Sequence, residues 1–283
     1  MLTRPVLDPI IERALVEDLA GGDLTVEACV DPDERATAVA LAKAPLVLCG
    51  SDVFRRVFEI LDASVRFEQL AEEAASVAKG TVVWRLEGPA RSLLMGERTA
   101  LNLVQRMSGI ATLARTYVGA LPPGSTTRIT DTRKTTPGLR ALERYAVRVG
   151  GAHNHRNDLG SAVMIKDNHI VASGGIAAAV ERARRRAPHT SRIEVEVTTL
   201  DQLEQAISAR ADIIMLDNFS DELTRRAMAR VKELPVRPLV EASGGITLER
   251  VARLGEIGVD VISVGALTHS APAADISLDF VLS

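Results

Sequence analysis

Residues Arg192–Ile246, RIEVEVTTLDQLEQAISARADIIMLDNFSDELTRRAMARVKELPVRPLVEASGGI, decide the architecture of the larger part of the chain. Three short apolar runs, at Arg192–Val197, Asp212–Asp217 and Val236–Ala242, alternate with segments near Leu200–Arg210 and Ser220–Leu234 whose apolar residues recur at helical spacing. Apolar strands alternating with amphipathic helices predict a parallel sheet covered by helices. The rhythm extends outward in both directions. Further strands are expected at Thr127–Thr132, Ala162–Lys166 and Asp260–Val264, and further helices near Gly138–Val149, Gly175–Arg186 and Leu248–Ile257. Roughly 150 residues are too few for the ~250 of an eightfold barrel, so the reading is an open, incomplete α/β barrel of about six parallel strands, closed by the preceding helix.

The first hundred or so residues read differently. Asp8–Leu19 has helical spacing and stops at Gly21-Gly22, and Asp52–Leu61 is a second helix. Ala36–Gly50 and Gly80–Leu86 are strand-like, rich in small and β-branched residues between Gly or Pro. This predicts an N-terminal α+β sandwich. Leu93–Leu121 is expected to form a long helix or a helix pair interrupted at Ser108-Gly109, ending at Pro122-Pro123-Gly124. The implied division is an N-terminal domain over 1–110, with the C-terminal tail 271–283 packing back on it, and a barrel domain over 111–270.

The 283 residues are 46% apolar, enough to fill a real core. With 34 Lys and Arg against 37 Asp and Glu, the net charge of −3 gives no general reason to expect nucleic acid. The two cysteines, Cys29 and Cys49, offer neither a disulfide framework nor a zinc site. No apolar run reaches the ~18 residues of a membrane span, and the N-terminus turns acidic before a signal-type segment forms. A soluble cytoplasmic protein is expected.

Positive charge is nevertheless concentrated locally. Thr126–Ile170 holds eight Lys or Arg against four Asp or Glu, and three of the five histidines: His153, His155 and His169. The expected strands end in Asp131-Thr132-Arg133-Lys134, Lys166-Asp167-Asn168-His169, Glu194-Val195-Glu196, Leu216-Asp217-Asn218, Glu241-Ala242-Ser243-Gly244-Gly245 and Gly265-Ala266. That end of a parallel barrel is where βα loops build active sites. An isolated Arg-Lys pair reads as solvated surface. With His155, Arg156 and Lys166 arriving at the same end, Arg133 and Lys134 read instead as part of a site for a multiply anionic small molecule, with arginine forks for carboxylates and lysines as mobile point charges.

His153 and His155 have no carboxylate at familiar metal spacing, so His155 is expected to donate a hydrogen bond to substrate and His153 to be a loop residue. Glu194 and Glu196 share one side of their strand and are costly there unless paired. They read either as structural ion pairs or, for Glu196 and Asp217, as groups facing a ribose, a magnesium ion or a developing positive charge. The loops Ser243-Gly244-Gly245 and Gly265-Ala266 follow the last two strands, where barrel enzymes hold a 5′-phosphate on backbone N–H groups.

These pieces, in this order, resemble the quinolinate phosphoribosyltransferase family. The resemblance runs through Glu17-Asp18-Leu19, Gly22-Asp23-Leu24-Thr25, Glu97–Asn102, Gln105-Arg106, Ser108–Thr112, Thr132–Thr135, Asn154-His155-Arg156, Ile165–His169, Glu194–Glu196, Met215–Asn218 and Glu241–Ile246. Ala152 and Ser161 depart from it, standing where glycine and aspartate are more usual. The resemblance implies transfer of phosphoribosyl from phosphoribosyl pyrophosphate to quinolinate with decarboxylation, magnesium as cofactor, and a homodimer or higher oligomer with shared active sites. It further implies that Arg133, His155, Arg156 and Lys166 bind the pyridine dicarboxylate, that Arg106 comes from the neighbouring subunit, and that Lys134 lies between a substrate carboxylate and the pyrophosphate path. Lys134, Lys166, Glu196 and Asp217 are the implied catalytic set. Asn154-His155-Arg156 and Ile165–His169 argue against the nicotinate-specific and molybdenum-transport-linked relatives.

Overall fold

The computed structural model describes residues 2–281. In chain order these form α1 (Arg4–Leu19), α2 (Leu24–Cys29), β1 (Arg35–Ala42), β2 (Leu46–Val47), α3 (Ser51–Leu61), β3 (Arg66–Gln69), β4 (Ser76–Val77), β5 (Val82–Pro89) and α4 (Ala90–Gly119). There follow β6 (Arg128–Thr130), α5 (Arg140–Val149), β7 (Val163–Ile165), α6 (Asp167–Ser173), α7 (Ile176–Arg186), β8 (Ile193–Val197) and α8 (Leu200–Ser208). The chain closes with β9 (Ile213–Asp217), α9 (Asp221–Lys232), β10 (Leu239–Ser243), α10 (Leu248–Ile257), β11 (Val261–Ser263), α11 (Ala266–His269) and β12 (Ile276–Val281). Residues 2–115, 135–151 and 266–281 make one compact unit, and residues 116–134 with 152–265 make the other.

The first unit carries an antiparallel sheet in the order β12-β1-β5-β3, with β2 and β4 as a separate pair. Its core centres on α3, whose Phe54 stacks on Trp84 at 4.4 Å and meets Phe58 edge-on at 5.2 Å. Glu73 accepts hydrogen bonds from the Gly50 and Ser51 N–H groups, the Ser51 hydroxyl and the Tyr145 hydroxyl, so a distant carboxylate caps this helix. Strand β12 pairs with β1 from Thr37↔Val281 to Ala42↔Ile276. Residues 282–283 of the expected tail lie outside the described residues.

Two local expectations differ from what forms, and a third, the choice between a long helix and a helix pair, is resolved as the long helix. The strand expected over 36–50 is split into β1 and β2, because Pro45 has no N–H for the ladder. Helix α4 runs without interruption through Ser108-Gly109. Ser108 exchanges hydrogen bonds of 3.1 Å with Cys49, and a Cβ on Gly109 would lie 1.9 Å from the Pro272 carbonyl, so the pair serves close packing rather than a break. Helix α5, expected with the barrel residues, belongs to the first unit instead. The guanidinium of Arg106 on α4 binds its fully buried Glu143 at 2.8 Å.

The second unit is a six-stranded parallel sheet in the order β6-β11-β10-β9-β8-β7, with α6 to α10 as the connecting helices of the same unit. All six strands fall where the apolar runs placed them. The 153 segment forms a parallel bridge to Thr130, so the outer edge of β6 is covered by its own downstream loop. Arg237 clamps Asp260 with two bonds of 2.7 and 2.8 Å, and the Asp260 carboxylate also accepts the Val240 N–H at 2.8 Å. This ties the start of β10 to the segment before β11. Among the described residues no helix is long and apolar enough to cross a membrane.

Burial pushes the Asp260 carboxyl pKa up, but Arg237 and the Val240 N–H outweigh it and hold it below the ordinary value of 3.8. A depressed carboxyl contributes stability that is present above the unfolded pKa and is lost as pH falls through the folded one. Asp260→Asn should therefore destabilise the protein by about 1–3 kcal/mol near neutral pH. In thermal denaturation followed against pH, that difference is expected to shrink as the wild type is taken below pH 3.8.

Candidate active site

The C-terminal ends of the parallel strands enclose a cavity of about 640 Å³. Its lining brings together Arg133, Lys134, His155, Arg156, Lys166, Glu196, Asp217, Ser243, Gly244 and Gly245. Gly265 and Ala266 are not part of that lining.

The cationic wall is built from the loops that follow β6 and β7 and from the segment that leads into β7. Arg133 and Lys134 follow β6, where the Lys134 N–H donates to the Thr132 hydroxyl. Lys166 is the N-cap of α6, a helix the sequence reading missed because its seven residues follow directly on the strand. The Lys166 N–H donates to His169 Nδ1, which assigns that histidine to capping. Lys166 Nζ reaches Glu196 Oε2 at 2.5 Å. Arg156 donates to the Ala162 carbonyl at 3.2 Å, and its pKa is lowered first by burial and then by the charge of Arg133. Two guanidiniums close enough to repel each other in a half-buried cleft favour an anionic ligand.

Asp131, at the end of β6 and fully buried, organises the neighbouring loop. One oxygen accepts the His155 N–H at 2.8 Å, and the other accepts the Asn154 side-chain N–H at 2.5 Å. Sequence reasoning passed over this residue, although its place at a strand end beside Arg133 was the available signal. His153 donates its backbone N–H to Ile129 and lines a different cavity, consistent with a loop role. At the two departures from the family pattern, Ala152 is buried and the Ser161 hydroxyl donates to Asp158 at 2.7 Å.

Below the cationic wall, His155 Nε2 lies 3.5 Å from Glu194 and 3.4 Å from Glu241, both buried. Burial alone would lower the histidine pKa; the two glutamates outweigh it and favour a proton on Nε2, while Nδ1, which accepts the Arg156 N–H, has no place for the second proton of a cation, so the ring is neutral. Burial also raises the Glu194 carboxyl. His155 Nδ1 accepts the Arg156 N–H at 2.7 Å, so the proton drawn to this cluster resides on the Nε2 side, between ring and carboxylates. Both ring nitrogens of His155 are thus engaged within the protein, which leaves no ring N–H for the expected donation to substrate.

The same cavity is lined by Glu196, whose carboxylate meets Lys166, by Asp217 and by the loop after β10. Gly244 has φ +88, and a Cβ there would lie 2.2 Å from Asn218 Oδ1, so only glycine fits beside the loop after β9. Gly245, also at positive φ, has no other atom within 4 Å of where a Cβ would stand. Arg250 donates to the Gly244 and Phe219 carbonyls and pairs with Asp221, locking the two loops together.

Arg106 lies in the first unit. Its guanidinium binds Glu143 at 2.8 and 3.1 Å, the Ala271 carbonyl at 3.1 Å and the Thr268 carbonyl. Presenting it to a neighbouring subunit's ligand would cost these bonds, which sequence alone could not reveal.

Residues 23–108 match the N-terminal domain of quinolinate phosphoribosyl transferase, and residues 110–279 match its C-terminal domain. The chain belongs to the quinolinate phosphoribosyltransferase family. It is 44% identical over 277 residues to a probable nicotinate-nucleotide pyrophosphorylase (carboxylating) of Bacillus subtilis, covering 98% of this chain and 94% of that protein. The human nicotinate-nucleotide pyrophosphorylase (carboxylating) is 42% identical over 280 residues, with 98% and 93% covered. A crystal structure of NadC from Streptococcus pyogenes superposes with a TM-score of 0.93 at 40% identity, covering 99% of both chains. The nicotinate-nucleotide pyrophosphorylase of Francisella tularensis gives 0.93 at 38%, with 99% of this chain and 98% of that chain covered.

Gly244→Ala should weaken phosphoribosyl pyrophosphate binding, because both the left-handed backbone and the Asn218 contact oppose a side chain. We expect its KM to rise by about tenfold or more in steady-state kinetics, with a smaller change for the second substrate.

Proposed function

We propose that this pocket binds quinolinate against its cationic wall and phosphoribosyl pyrophosphate against its glycine loop. The enzyme is a phosphoribosyltransferase of NAD biosynthesis, a nicotinate-nucleotide pyrophosphorylase (carboxylating). Its products are nicotinate mononucleotide, pyrophosphate and carbon dioxide. The observation that carries the assignment of substrates to subsites is that one cavity is lined both by the cations Arg133, Lys134, Arg156 and Lys166 and by Glu196, Asp217 and the glycine loop Ser243–Gly245.

Arg133 and Arg156 supply two guanidinium forks, and adjacent carboxylates on a pyridine ring are a ligand that can engage both. Lys166 bridges this subsite to the reaction centre: it is held by Glu196 until an anionic substrate offers a competing carboxylate. Lys134 lies toward the pyrophosphate path. Held in this orientation, the pyridine nitrogen attacks ribosyl C1 as the C1–O bond to pyrophosphate breaks, and positive charge develops on the ribose. Glu196 and Asp217 stabilise that charge. The ribosylated pyridinium stabilises the electron pair left at C2 when the bond to the 2-carboxylate breaks and carbon dioxide departs, and a proton from water then takes the carboxylate's place at C2, so no organic cofactor is required.

Glu196 and Asp217 lie at the ends of the neighbouring strands β8 and β9, a pair of hard oxygen donors that fits a magnesium ion sharing its shell with phosphate oxygens and water. Magnesium held there would neutralise charge on the leaving pyrophosphate. The assembly is a homodimer, or a higher oligomer built from one, with shared active sites, and its compartment is the cytoplasm.

An assay with phosphoribosyl pyrophosphate and magnesium, following pyrophosphate and nicotinate mononucleotide together, tests the function. Equimolar products from quinolinate, with none from nicotinate, are expected; turnover of nicotinate alone would refute the proposal. Within the same assay, Glu196→Gln releases Lys166 and removes the stabilising charge. The expected result is a kcat lower by about a hundredfold with a KM for quinolinate that does not rise.

A further inference from the structure

Glu194 and Glu241 have no role in the mechanism above, yet they are among the most deeply buried charged groups of the second unit, 3% and 2% exposed. Each directs one oxygen to His155 Nε2 and leaves Oε1 without a hydrogen-bond partner. Two such carboxylates are a poor choice for packing alone, since apolar residues of similar volume fill such a space at less cost.

The cluster is also the partition between two cavities. His155, Arg156 and Glu241 line the active-site cavity and, equally, a second cavity of about 560 Å³. That second cavity opens among Arg128, Ile213 and Val261, the first residues of β6, β9 and β11. The ring of His155 therefore has space on two sides, and its orientation depends on what grips it.

The three ligand atoms lie within 4.8 Å of one another, a spacing that could suit a metal ion. The other ring nitrogen decides against it. Nδ1 accepts the Arg156 N–H, so the ring's own proton is on Nε2, and a metal would need the lone pair that this proton occupies.

We infer that Glu194 and Glu241 are positioning residues for dicarboxylate recognition. From β8 and β10 they grip the Nε2–H edge of His155, which fixes the ring's rotation, and through Nδ1 the ring fixes the backbone N–H of Arg156. Asp131 holds the same segment from β6 through the His155 N–H. Arg156 is thereby aimed into the active-site cavity against the repulsion of Arg133, with Glu194 as an attractive charge beneath it. The inference rests on the reading of this pocket as the quinolinate subsite.

Two measurements test it. The first uses the ligand-free wild type labelled with 15N-histidine, so it stands or falls independently of the substrate. Long-range 1H–15N spectra at neutral pH are expected to show His155 Nδ1 without a proton, and a changed or averaged ring signal in the Glu194→Leu/Glu241→Leu double variant. A protonated Nδ1 in the wild type, or an unchanged signal in the double variant, would overturn the clamp. The second measures both KM values and the Tm of Glu241→Leu, Glu194→Leu and the matching Gln variants. Leu should raise the KM for quinolinate by about tenfold or more while leaving that for phosphoribosyl pyrophosphate within about threefold, and Gln, which keeps an acceptor, should raise it less. The Tm should not fall, because an apolar side chain replaces a buried charge. A lower Tm with an unchanged quinolinate KM would make the residues merely structural and overturn the inference.

Discussion

Repulsion among like charges is the constraint to which the second unit answers. Arg133, Lys134, Arg156 and Lys166 crowd one end of a six-stranded parallel sheet, and the depressed pKa of Arg156 shows both burial and its neighbour Arg133 acting on it. Without compensation, such a group would splay its side chains into solvent. The fold instead places acids at each point of strain: Glu196 on Lys166, Asp131 under the 154–155 loop, and Glu194 with Glu241 under His155. A site held in this way is attractive to a multiply charged anion because the ligand relieves the repulsion that the protein alone only balances.

The glycine-loop part of the cavity follows a different logic. Backbone rather than charge does the work there, through Gly244 and Gly245 at positive φ and through Arg250, which fastens the loops after β9 and β10 to each other. A pyridine dicarboxylate needs forked, directional donors, whereas a phosphate can be held by clustered N–H groups. One cavity thus offers two chemistries, and the carboxylates Glu196 and Asp217 also line it.

Much of this was legible in the sequence because a parallel sheet repeats one pattern. Each apolar run from Thr127 to Val264 became a strand, and the polar residues after those strands that line the cavity, such as Arg133, Lys166 and Asp217, arrived at one end by the geometry of βα connection. What was not legible depends on contacts between distant segments. Gly109 looked like a helix breaker and is a packing contact for Pro272; Arg106 looked available and is held by Glu143 and two carbonyls. Asp131 and Glu241 were simply strand-end acids until the fold set them against the 154–156 loop. Periodicity reports which face a residue takes, not which partner meets it there.

The most direct test of the central claim, that this cationic wall recognises two adjacent carboxylates, is calorimetric titration of the wild-type protein with quinolinate and with nicotinate in the absence of phosphoribosyl pyrophosphate. The account predicts that quinolinate binds more tightly by at least about tenfold, the contribution of one additional charge-paired carboxylate. It also predicts that Arg133→Ala abolishes most of that preference. Equal affinities for the two ligands, or a preference that survives the loss of Arg133, would contradict it.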